Sequence, residues 1–197
     1  MARTPSTMLP LKTPFPHFRL PDPRGQVVDT RVILKDPGQA VIVMFICNHC
    51  PYVKHIARQI SSVTRRMLQF PGVHVFAINS NDIERYPEDR PEKMLAEAAE
   101  LGYSFPYLYD ESQEVAKSFR AACTPEFYLF DGDLKLVYRG QFDDSRPQNH
   151  IEPSGADLWQ AFEEVLAHRS PHDDQKPSIG CNIKWKPNQE PKYENFF

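Results

Sequence analysis

The sequence predicts an α/β fold in which a central mixed β-sheet is flanked by helices. Two apolar runs typical of buried strands, residues 40–46 and 73–78, are separated by one helical pattern over residues 51–68. Strands joined by a single crossover helix lie parallel in a sheet. Two later apolar segments flank an Asp-Gly-Asp turn at residues 131–133, which is a signal for an antiparallel hairpin. Parallel and antiparallel pairs together make the predicted sheet a mixed one.

Length and composition are those of an ordinary globular chain. Its 197 residues are 41% hydrophobic and 25% charged, enough for one substantial core in a single domain. A formal net charge of −3 and scattered basic residues give no electrostatic footprint for nucleic acid. The longest apolar run is too short to span a bilayer, and residues 1–5 lack the apolar core of a signal peptide. We therefore expect a cytoplasmic protein with neither nucleic acid nor membrane as a partner.

The segment before the first buried strand is predicted to hold one small hairpin. Residues 1–12 show no regular pattern and are interpreted as an irregular arm. Residues 15–22 then lead through a turn at Gly25 into Val27 and Val28, which favours an N-terminal hairpin.

The first long helix is predicted to begin at Pro51. Proline is favoured at the first helical position because its missing N–H costs nothing there, and this makes Cys50 the N-cap. With Cys47 as N-cap instead, Pro51 would occupy the first turn and lose a helical hydrogen bond. At an N-cap the sulfur faces unpaired backbone N–H groups and the positive end of the helix dipole, so the thiolate of Cys50 is favoured. Pro71 and Gly72 end this helix.

The middle of the chain is predicted to hold a loop and two helices. The polar segment 79–90 is the loop, and the helix opened by Pro91 is closed by Gly102. Asp110 and Gln113 are predicted to form a capping box for a further short helix.

The last third of the chain is predicted to hold a hairpin, a helix and a tail. Residues 127–130 and 134–138 are the two hairpin strands. Ser154 and Asp157 cap the final helix. Residues 169–197 form a tail rich in proline and charge.

The dithiol of Cys47 and Cys50 indicates the chemistry. Two thiols three positions apart, at the junction of a buried strand and a helix, are typical of a redox site. In a reducing compartment such a pair is more often catalytic or metal-binding than a structural disulfide. A pair that merely packs as small apolar side chains is the alternative, but packing alone does not explain this placement. The spacing predicts a reversible Cys47–Cys50 disulfide in which Cys50 is the attacking sulfur.

The order of elements and three motifs resemble the thioredoxin superfamily, specifically its redoxin branch near the alkyl hydroperoxide reductase/thiol-specific antioxidant group. The motifs are residues 18–22 with Gly25, the strand that leads into residues 47–50, and Thr124-Pro125 ahead of residues 127–130. The resemblance covers about residues 13–168 and implies a thioredoxin-like fold for that domain. Residues 1–12 then form an arm, and residues 169–197 form a tail that we expect to dock on the domain. It also implies that the Thr124-Pro125 bond is cis and that this loop offers its backbone to an extended substrate.

The sequence departs from the family pattern around the dithiol. An ungapped match of the first buried strand to a thioredoxin strand aligns Cys50, not Cys47, with the nucleophile, and Val53 with the usual resolving cysteine. Met44 stands where thioredoxins carry a buried acid, so proton transfer requires another group. The remaining candidates, each expected to be a solvated charge, are Glu126, Asp143 and Asp144.

A peroxidase is the first alternative function. Cys50-Pro51 preceded by Cys47 resembles the peroxiredoxin site with cysteine in place of threonine. Alignment, however, puts Pro125 at the position of the peroxiredoxin arginine, and Arg120 and Arg139 are the nearby basic residues. A peroxide needs cationic donors, whereas a disulfide substrate needs an extended backbone to dock on. Thiol–disulfide exchange is therefore the main hypothesis.

A non-catalytic thiol or zinc-binding module is the second alternative. It would combine Cys47 and Cys50 with Cys123, Cys181 or one of the seven histidines. Only one CxxC motif is present, so we predict no metal and no cofactor. The expected partners are a protein or small-molecule disulfide or thiol substrate and a thiol reductant, and the sequence leaves the oligomeric state open.

Four further residues are candidates for auxiliary roles. His49 and Lys54 are candidates for tuning the thiolate, since an X-His-Cys ending resembles the more oxidising disulfide exchangers of the superfamily. Cys123 lies two residues before Pro125, where it either reaches the dithiol or packs as a buried thiol. Cys181 lies in the apolar cluster 178–185 of the tail, which we expect to dock on the domain.

Overall fold

A computed structural model describes residues 3–36 and 38–193. The outermost residues of the predicted arm and tail, 1–2 and 194–197, lie outside the described residues. The elements in chain order are β1 (Arg3–Pro5), β2 (Arg19–Pro21), β3 (Val27–Asp29), α1 (Thr30–Ile33), β4 (Ala40–Phe45), α2 (Pro51–Met67), β5 (Val73–Asn79), a 3₁₀ turn (Pro87–Asp89), α3 (Pro91–Leu101), β6 (Tyr107–Tyr109), α4 (Glu114–Ser118), β7 (Cys123–Thr124), β8 (Glu126–Asp131), β9 (Leu136–Gly140), α5 (Ala156–Leu166) and β10 (Ile179–Asn182).

The central sheet has five strands in the order β6-β5-β4-β8-β9. Strand β4 pairs parallel with β5 and antiparallel with β8, so Met44 lies between Ala77 and Phe127. The predicted mixed sheet is confirmed. Strand β6 extends it in parallel beyond β5 and was not predicted, because a run of three residues carries no periodic signal.

The core lies on both faces of β4, which explains the unbroken apolar run in its sequence. Ile42 and Met44 pack in the cluster that includes α2 and α5, whereas Val43 and Phe45 pack with the cluster that includes Phe119. Burial of each such side chain stabilises the fold by about 1.5–3 kcal/mol. The carboxyl end of β4, which carries the CxxC segment, is therefore held firmly.

Helix α2 begins where the sequence predicts. Its N-cap is Cys50, with extended backbone at φ −69° and ψ 122°, and Pro51 is the first helical residue. Its last residue is Met67, shortly before the predicted stop. Helix α3 likewise begins at Pro91 and ends at Leu101, and its C-cap Gly102 has a φ of 65°, the left-handed conformation favoured by glycine.

The hairpin and the short-helix predictions need corrections of detail. Strand β9 begins at Leu136 rather than at residue 134, because Leu134 is in the turn with φ 55°. Gln113 precedes α4 in a left-handed conformation and makes no capping hydrogen bond with its side chain. Asp110 instead accepts from the N–H of Ala116, so the predicted capping box is wrong although the helix exists.

The predicted cap of the last helix also needs a correction. Helix α5 has Gly155 as its N-cap, and Ser154 accepts from the N–H of Ala156. The predicted N-terminal hairpin is confirmed as the antiparallel pair β2–β3.

A second, three-stranded sheet joins distant parts of the chain in the order β1-β10-β7. Arg3 lies opposite Cys181, and Cys181 also lies opposite Thr124. The interpretation of the arm as irregular is therefore wrong for residues 3–5, which form a strand. Their partners are far away in sequence, so no local pattern reveals the pairing. Among the described residues, none of the helices is both long and apolar enough to cross a bilayer.

Candidate active site

Four buried cysteines lie in or beside one part of the structure. Cys47 follows the end of β4 and Cys50 caps α2, and these residues are 1% and 0% exposed. Cys123 belongs to β7 and Cys181 to β10, and none of the four cysteines forms a disulfide in the described residues. The fold thus brings tail residue Cys181 to the predicted dithiol, a proximity that the sequence could not show.

Cys50 is placed where its thiolate is stabilised. Its Sγ lies 2.9 Å from the Sγ of Cys181. When protonated, the Cys50 thiol donates to the carbonyl oxygen of Thr124 at 3.2 Å, a contact that favours the neutral form. Hydrogen bonds from the thiols of Cys181 and Cys47 lower the pKa of Cys50, and burial opposes them. The backbone N–H groups of Val53 and Cys181 lower this pKa further. The Val53 N–H belongs to the first turn of α2 and acts without forming a regular capping hydrogen bond.

Cys47 has the opposite character. Burial raises the pKa of Cys47 well above its ordinary value, and its hydrogen bond to Cys50 and the nearby charge of Asp89 add to the shift. Its Sγ lies 3.3 Å from the Oγ1 of Thr124. The two environments therefore shift the pKa values of the two thiols in opposite directions.

The loop at Thr124 and Pro125 adjoins both sulfurs of the dithiol. The Thr124-Pro125 peptide bond is cis, as predicted. Thr124 contacts Cys47 through its hydroxyl and Cys50 through its carbonyl oxygen. The backbone edge expected to receive a substrate is paired with β10 of the same chain.

Gly180 lets β10 approach this loop closely. A Cβ atom at this position would collide with the Thr124 carbonyl oxygen and lie 2.6 Å from its carbon. Both neighbouring atoms belong to the backbone of Thr124, which cannot move aside as a flexible side chain could. Only glycine fits beside Thr124 with the strand in its present place.

Asp89 is a site residue that the sequence analysis missed. Its fully buried carboxylate accepts from the N–H of Asn48 at 2.8 Å and of His49 at 3.3 Å, both in the CxxC loop. It also accepts from His49 Nδ1 at 2.6 Å and Asn81 Nδ2 at 2.7 Å. The signal was the polar stretch after β5, since the carboxyl ends of the parallel strands β4 and β5 meet at the same edge. Asp89 fixes the conformation of the loop between the two cysteines.

The side chains of His49 and Lys54, the two candidates for tuning the thiolate, interact with acids rather than with the sulfur of Cys50. His49 donates to Asp89, stacks on the ring of Tyr86 at 5.2 Å between centroids, and has a side chain only 14% exposed. It therefore holds the loop in shape. Lys54 is exposed, and its charge acts on Glu97, whose pKa burial raises to about 7 while Lys54 opposes that shift.

Cys123 faces a buried acid. Its Sγ lies 3.8 Å from Oε2 of Glu126, and burial and the nearby glutamate raise the pKa of this thiol. Glu126 is fully buried and accepts from the hydroxyl of Ser6 and the N–H of Ala122. The expectation that Glu126 is solvated is wrong, because protein donors replace water around it. Burial raises the pKa of Glu126.

The remaining acids are structural or exposed. Asp143 is buried and accepts from the N–H groups of Ser154 and Gly155 just before α5, so it too is not a solvated charge. Asp144 is exposed and forms an ion pair with Lys176 at 2.8 Å, as expected of a surface carboxylate.

The two candidate arginines for a peroxide site have other partners. Arg139 donates to the carbonyl of Leu9 and to Gln175. The guanidinium of Arg120 lies over the ring of Tyr193 at 5.6 Å. The sulfur of Cys50 instead contacts the thiol of Cys181 and the backbone of Thr124.

Cys47, His49 and Asp89 have ligand atoms within 4.8 Å of one another, the spacing of a metal site. The oxygens of Asp89 already accept four N–H groups, however, so the acid has little capacity left for a cation. The Cys50–Cys181 sulfur separation of 2.9 Å is also short for zinc, since thiolates on a tetrahedral zinc lie about 3.8 Å apart. The contacts fit a sulfur–sulfur site better than a metal centre.

Replacing Asp89 by asparagine is expected to lower the free energy of unfolding by about 2–3 kcal/mol, because an amide N–H₂ would face N–H donors in a buried site. Urea denaturation measures the change. Glu88→Gln is the matched control, since this neighbouring acid is exposed. Equal stability of the two variants would contradict the role given to Asp89.

Comparisons with known proteins find a matching family and similar solved structures. The model of the AhpC/TSA family matches residues 11–139, more than half of the chain. The crystal structure of an uncharacterized conserved protein from Geobacillus kaustophilus has a TM-score of 0.90 and 51% identity, covering 95% of this chain and 98% of that one. A hypothetical protein from Sinorhizobium meliloti 1021 gives a TM-score of 0.89 and 43% identity, covering 93% and 99%.

More distant structures share the fold. A secreted disulfide oxidoreductase from Mycobacterium tuberculosis has a TM-score of 0.55 and 16% identity, covering 76% of this chain and 95% of that one. No curated protein sequence matches the chain. The fold is thioredoxin-like.

Proposed function

The chain belongs to the AhpC/TSA family, the redoxin branch of the thioredoxin superfamily, and from this premise we propose that it is a thiol–disulfide oxidoreductase with Cys50 as nucleophile and Cys47 as resolving thiol. The observation that carries the proposal is the placement of the two sulfurs: Cys50 caps α2 with its Sγ 2.9 Å from that of Cys181, whereas Cys47 is buried beside the hydroxyl of Thr124. Hydrogen bonds from Cys181 and Cys47 lower the pKa of Cys50, whereas burial raises that of Cys47. One sulfur is prepared to attack while the other keeps its proton until needed.

The reaction proceeds by two exchanges. The Cys50 thiolate attacks one sulfur of a substrate disulfide, the substrate bond breaks, and the other substrate sulfur leaves as a thiolate that takes a proton. Cys47 then gives up its proton and attacks Cys50 Sγ, which releases the second substrate thiol and leaves a Cys47–Cys50 disulfide. A thiol reductant restores the dithiol by the same exchange in reverse.

The loop of Thr124 and Pro125 supports a substrate with an extended backbone. Strand β10 already pairs with Thr124 in antiparallel register, with a cysteine side chain at the Cys50 sulfur. An external peptide disulfide would use the same edge in the manner of strand addition. We propose protein or peptide disulfides as the substrate class, with Thr124 and Pro125 as docking residues.

Peroxide reduction has less support. It requires cationic or N–H donors aimed at the peroxide oxygens, and the backbone N–H groups at Cys50 are the donors that the described residues supply. Arg139 and Arg120, the basic residues nearby in sequence, contact Gln175 and Tyr193.

Three assays on one preparation test the proposal. We expect the wild-type protein to catalyse the reduction of insulin disulfides by dithiothreitol, to consume hydrogen peroxide no faster than a free thiol, and to contain no stoichiometric zinc. Rapid peroxide consumption without insulin reduction would establish the peroxidase instead. Bound zinc with both activities absent would establish the metal module.

A further inference from the structure

We propose that Cys181 is a third redox thiol of this site, which forms a disulfide with Cys50, and that strand β10 is a tethered, substrate-like segment lying over the nucleophile. The inference rests on the proposed function, because it needs Cys50 to be the attacking sulfur. It assigns a catalytic role to a residue in the tail, outside the segment matched by the family model.

The sulfur geometry is the first argument. The Sγ atoms of Cys50 and Cys181 are 2.9 Å apart, which is less than 1 Å longer than a disulfide bond of about 2.05 Å. Cys181 lies directly opposite Thr124 in the β7–β10 pair, so its sulfur occupies the place that a docked substrate sulfur would take. A small shift of the side chains suffices to form the bond.

The second argument is that hydrogen bonds fix the tail segment around Cys181 to the rest of the fold. The N–H of Ser6 donates to Ser178, and the N–H of Ile183 donates to Ala122, on either side of the cysteine. The N–H of Lys184 donates to Asn81, which is itself bonded to Asp89. Strand β10 is thus fixed at several points and is not a loosely packed end.

Burial of the nucleophile is the third argument. Cys50 is 0% exposed and Cys181 is 2% exposed. A protein disulfide cannot reach Cys50 while β10 is paired with Thr124. The strand must leave for an external substrate to enter, and it returns to the same edge afterwards.

The chemistry balances without an additional oxidant. In the Cys47–Cys50 disulfide, Cys181 loses its proton and attacks Cys50 Sγ. The Cys50–Cys181 bond forms, the Cys47–Cys50 bond breaks, and the Cys47 thiolate takes up the proton. The same attack on a Cys50–substrate mixed disulfide releases the substrate thiol, with the substrate disulfide as oxidant throughout.

Oxidation of Cys50 also prepares Cys181 for attack. In the reduced site, the hydrogen bond to the Cys50 thiolate is the main cause of the raised pKa of Cys181. Once Cys50 is part of a disulfide that thiolate no longer exists, and Lys184, which favours the ionised thiol, remains. Cys181 therefore becomes more acidic when its attack is required.

A third redox thiol changes the expected behaviour of the Cys47→Ser variant. With only two active thiols, Cys47→Ser should accumulate as a stable mixed disulfide. With Cys181 beside Cys50, the same variant should resolve that intermediate through the tail. The double variant Cys47→Ser/Cys181→Ser should be the one that traps the substrate.

The test is peptide mapping of disulfides after reaction with oxidised glutathione and acid quenching. We expect Cys47→Ser to hold a Cys50–Cys181 disulfide, and the double variant to hold at least about tenfold more glutathione on Cys50, since a tethered thiol outcompetes one in solution. The matched control is Cys47→Ser/Cys123→Ser, which should behave like Cys47→Ser. In wild-type protein, both Cys47–Cys50 and Cys50–Cys181 disulfides should appear, which gives a readout free of substitutions.

The outcomes separate the two proposals. Glutathione that accumulates on Cys50 of Cys47→Ser, with Cys181 free, would overturn the role of Cys181 and leave Cys50 as the nucleophile. A Cys123–Cys181 disulfide would also overturn it. Unmodified Cys50 in the double variant, with insulin reduction absent in wild type, would overturn the proposed function as well.

Discussion

Replacing Cys50 by serine is expected to lower the rate of insulin reduction at least about a thousandfold, because the variant lacks the sulfur that attacks the substrate. Cys47→Ser should still make that first attack. The measurement is the rate of insulin precipitation with dithiothreitol, corrected for the uncatalysed reaction. Cys123→Ser is the control, since this buried thiol contacts Glu126 and should leave the rate near that of wild type.

The reverse result would identify the other cysteine as nucleophile. If Cys50→Ser forms a mixed disulfide at Cys47 while Cys47→Ser is inert, the usual thioredoxin assignment holds. The position of Cys50 at the N-cap, with Pro51 as the first helical residue, would then not decide which sulfur attacks.

The pH dependence provides a second readout for the same variant. The pKa of Cys50 is lowered below the value of about 8.5 for an ordinary cysteine, so its thiolate absorbance should persist well below that pH in wild type and vanish in Cys50→Ser. A lowered folded-state pKa gives stability that is fully present above the unfolded value and is lost as the pH falls through the folded value. The stability advantage of wild type over Cys50→Ser should therefore grow as the pH rises toward about 8.5.

Replacing Gly180 by alanine is expected to raise the rate at which iodoacetamide alkylates Cys50 by about ten- to a hundredfold. The added Cβ collides with the backbone of Thr124, and overpacking of this kind costs about 1–3 kcal/mol. Release of β10 from Thr124 relieves the collision. Each 1.4 kcal/mol of strain raises the fraction of molecules in which β10 is released about tenfold, and Cys50 is alkylated in those molecules. Quenched labelling with peptide mapping gives the rate at each cysteine.

Gly25→Ala is the matched control for Gly180→Ala. Gly25 has a φ of 81°, so alanine is strained there too, but its Cβ would meet no atom within 4 Å. The control therefore reports a loss of stability without displacement of β10. Equal labelling of Cys50 in Gly180→Ala and wild type would show that β10 does not limit access to the site.

The sequence was sufficient for the features that depend on local chemistry. Pro51 determines the start of α2 and hence the position of Cys50, and the unbroken apolar run of β4 reveals a strand buried on both faces. The family resemblance supplied the cis bond before Pro125. Each of these signals lies within a few residues of the feature it predicts.

The features that depend on contacts across the chain could not be predicted. Strand β1 and strand β7 have three and two residues, too few to show a period, and their common partner β10 lies in a polar tail. Cys181 reaches the dithiol only through this long-range pairing. Asp89 instead reaches it from the polar stretch after β5, at the edge that β4 and β5 share. Glu126 looked like a surface charge because one of the donors that replace water around it, the hydroxyl of Ser6, comes from the far end of the chain.

The pairing of β10 with Thr124 also determines which molecules the site can select. An incoming peptide competes with strand β10, which is part of the same chain and therefore has an effective concentration on the order of millimolar. Its apparent dissociation constant is the intrinsic constant divided by the small fraction of molecules in which the edge is vacant. Weakly binding, dilute polypeptides are excluded by this competition, and only those with high intrinsic affinity or high local abundance gain access to Cys50.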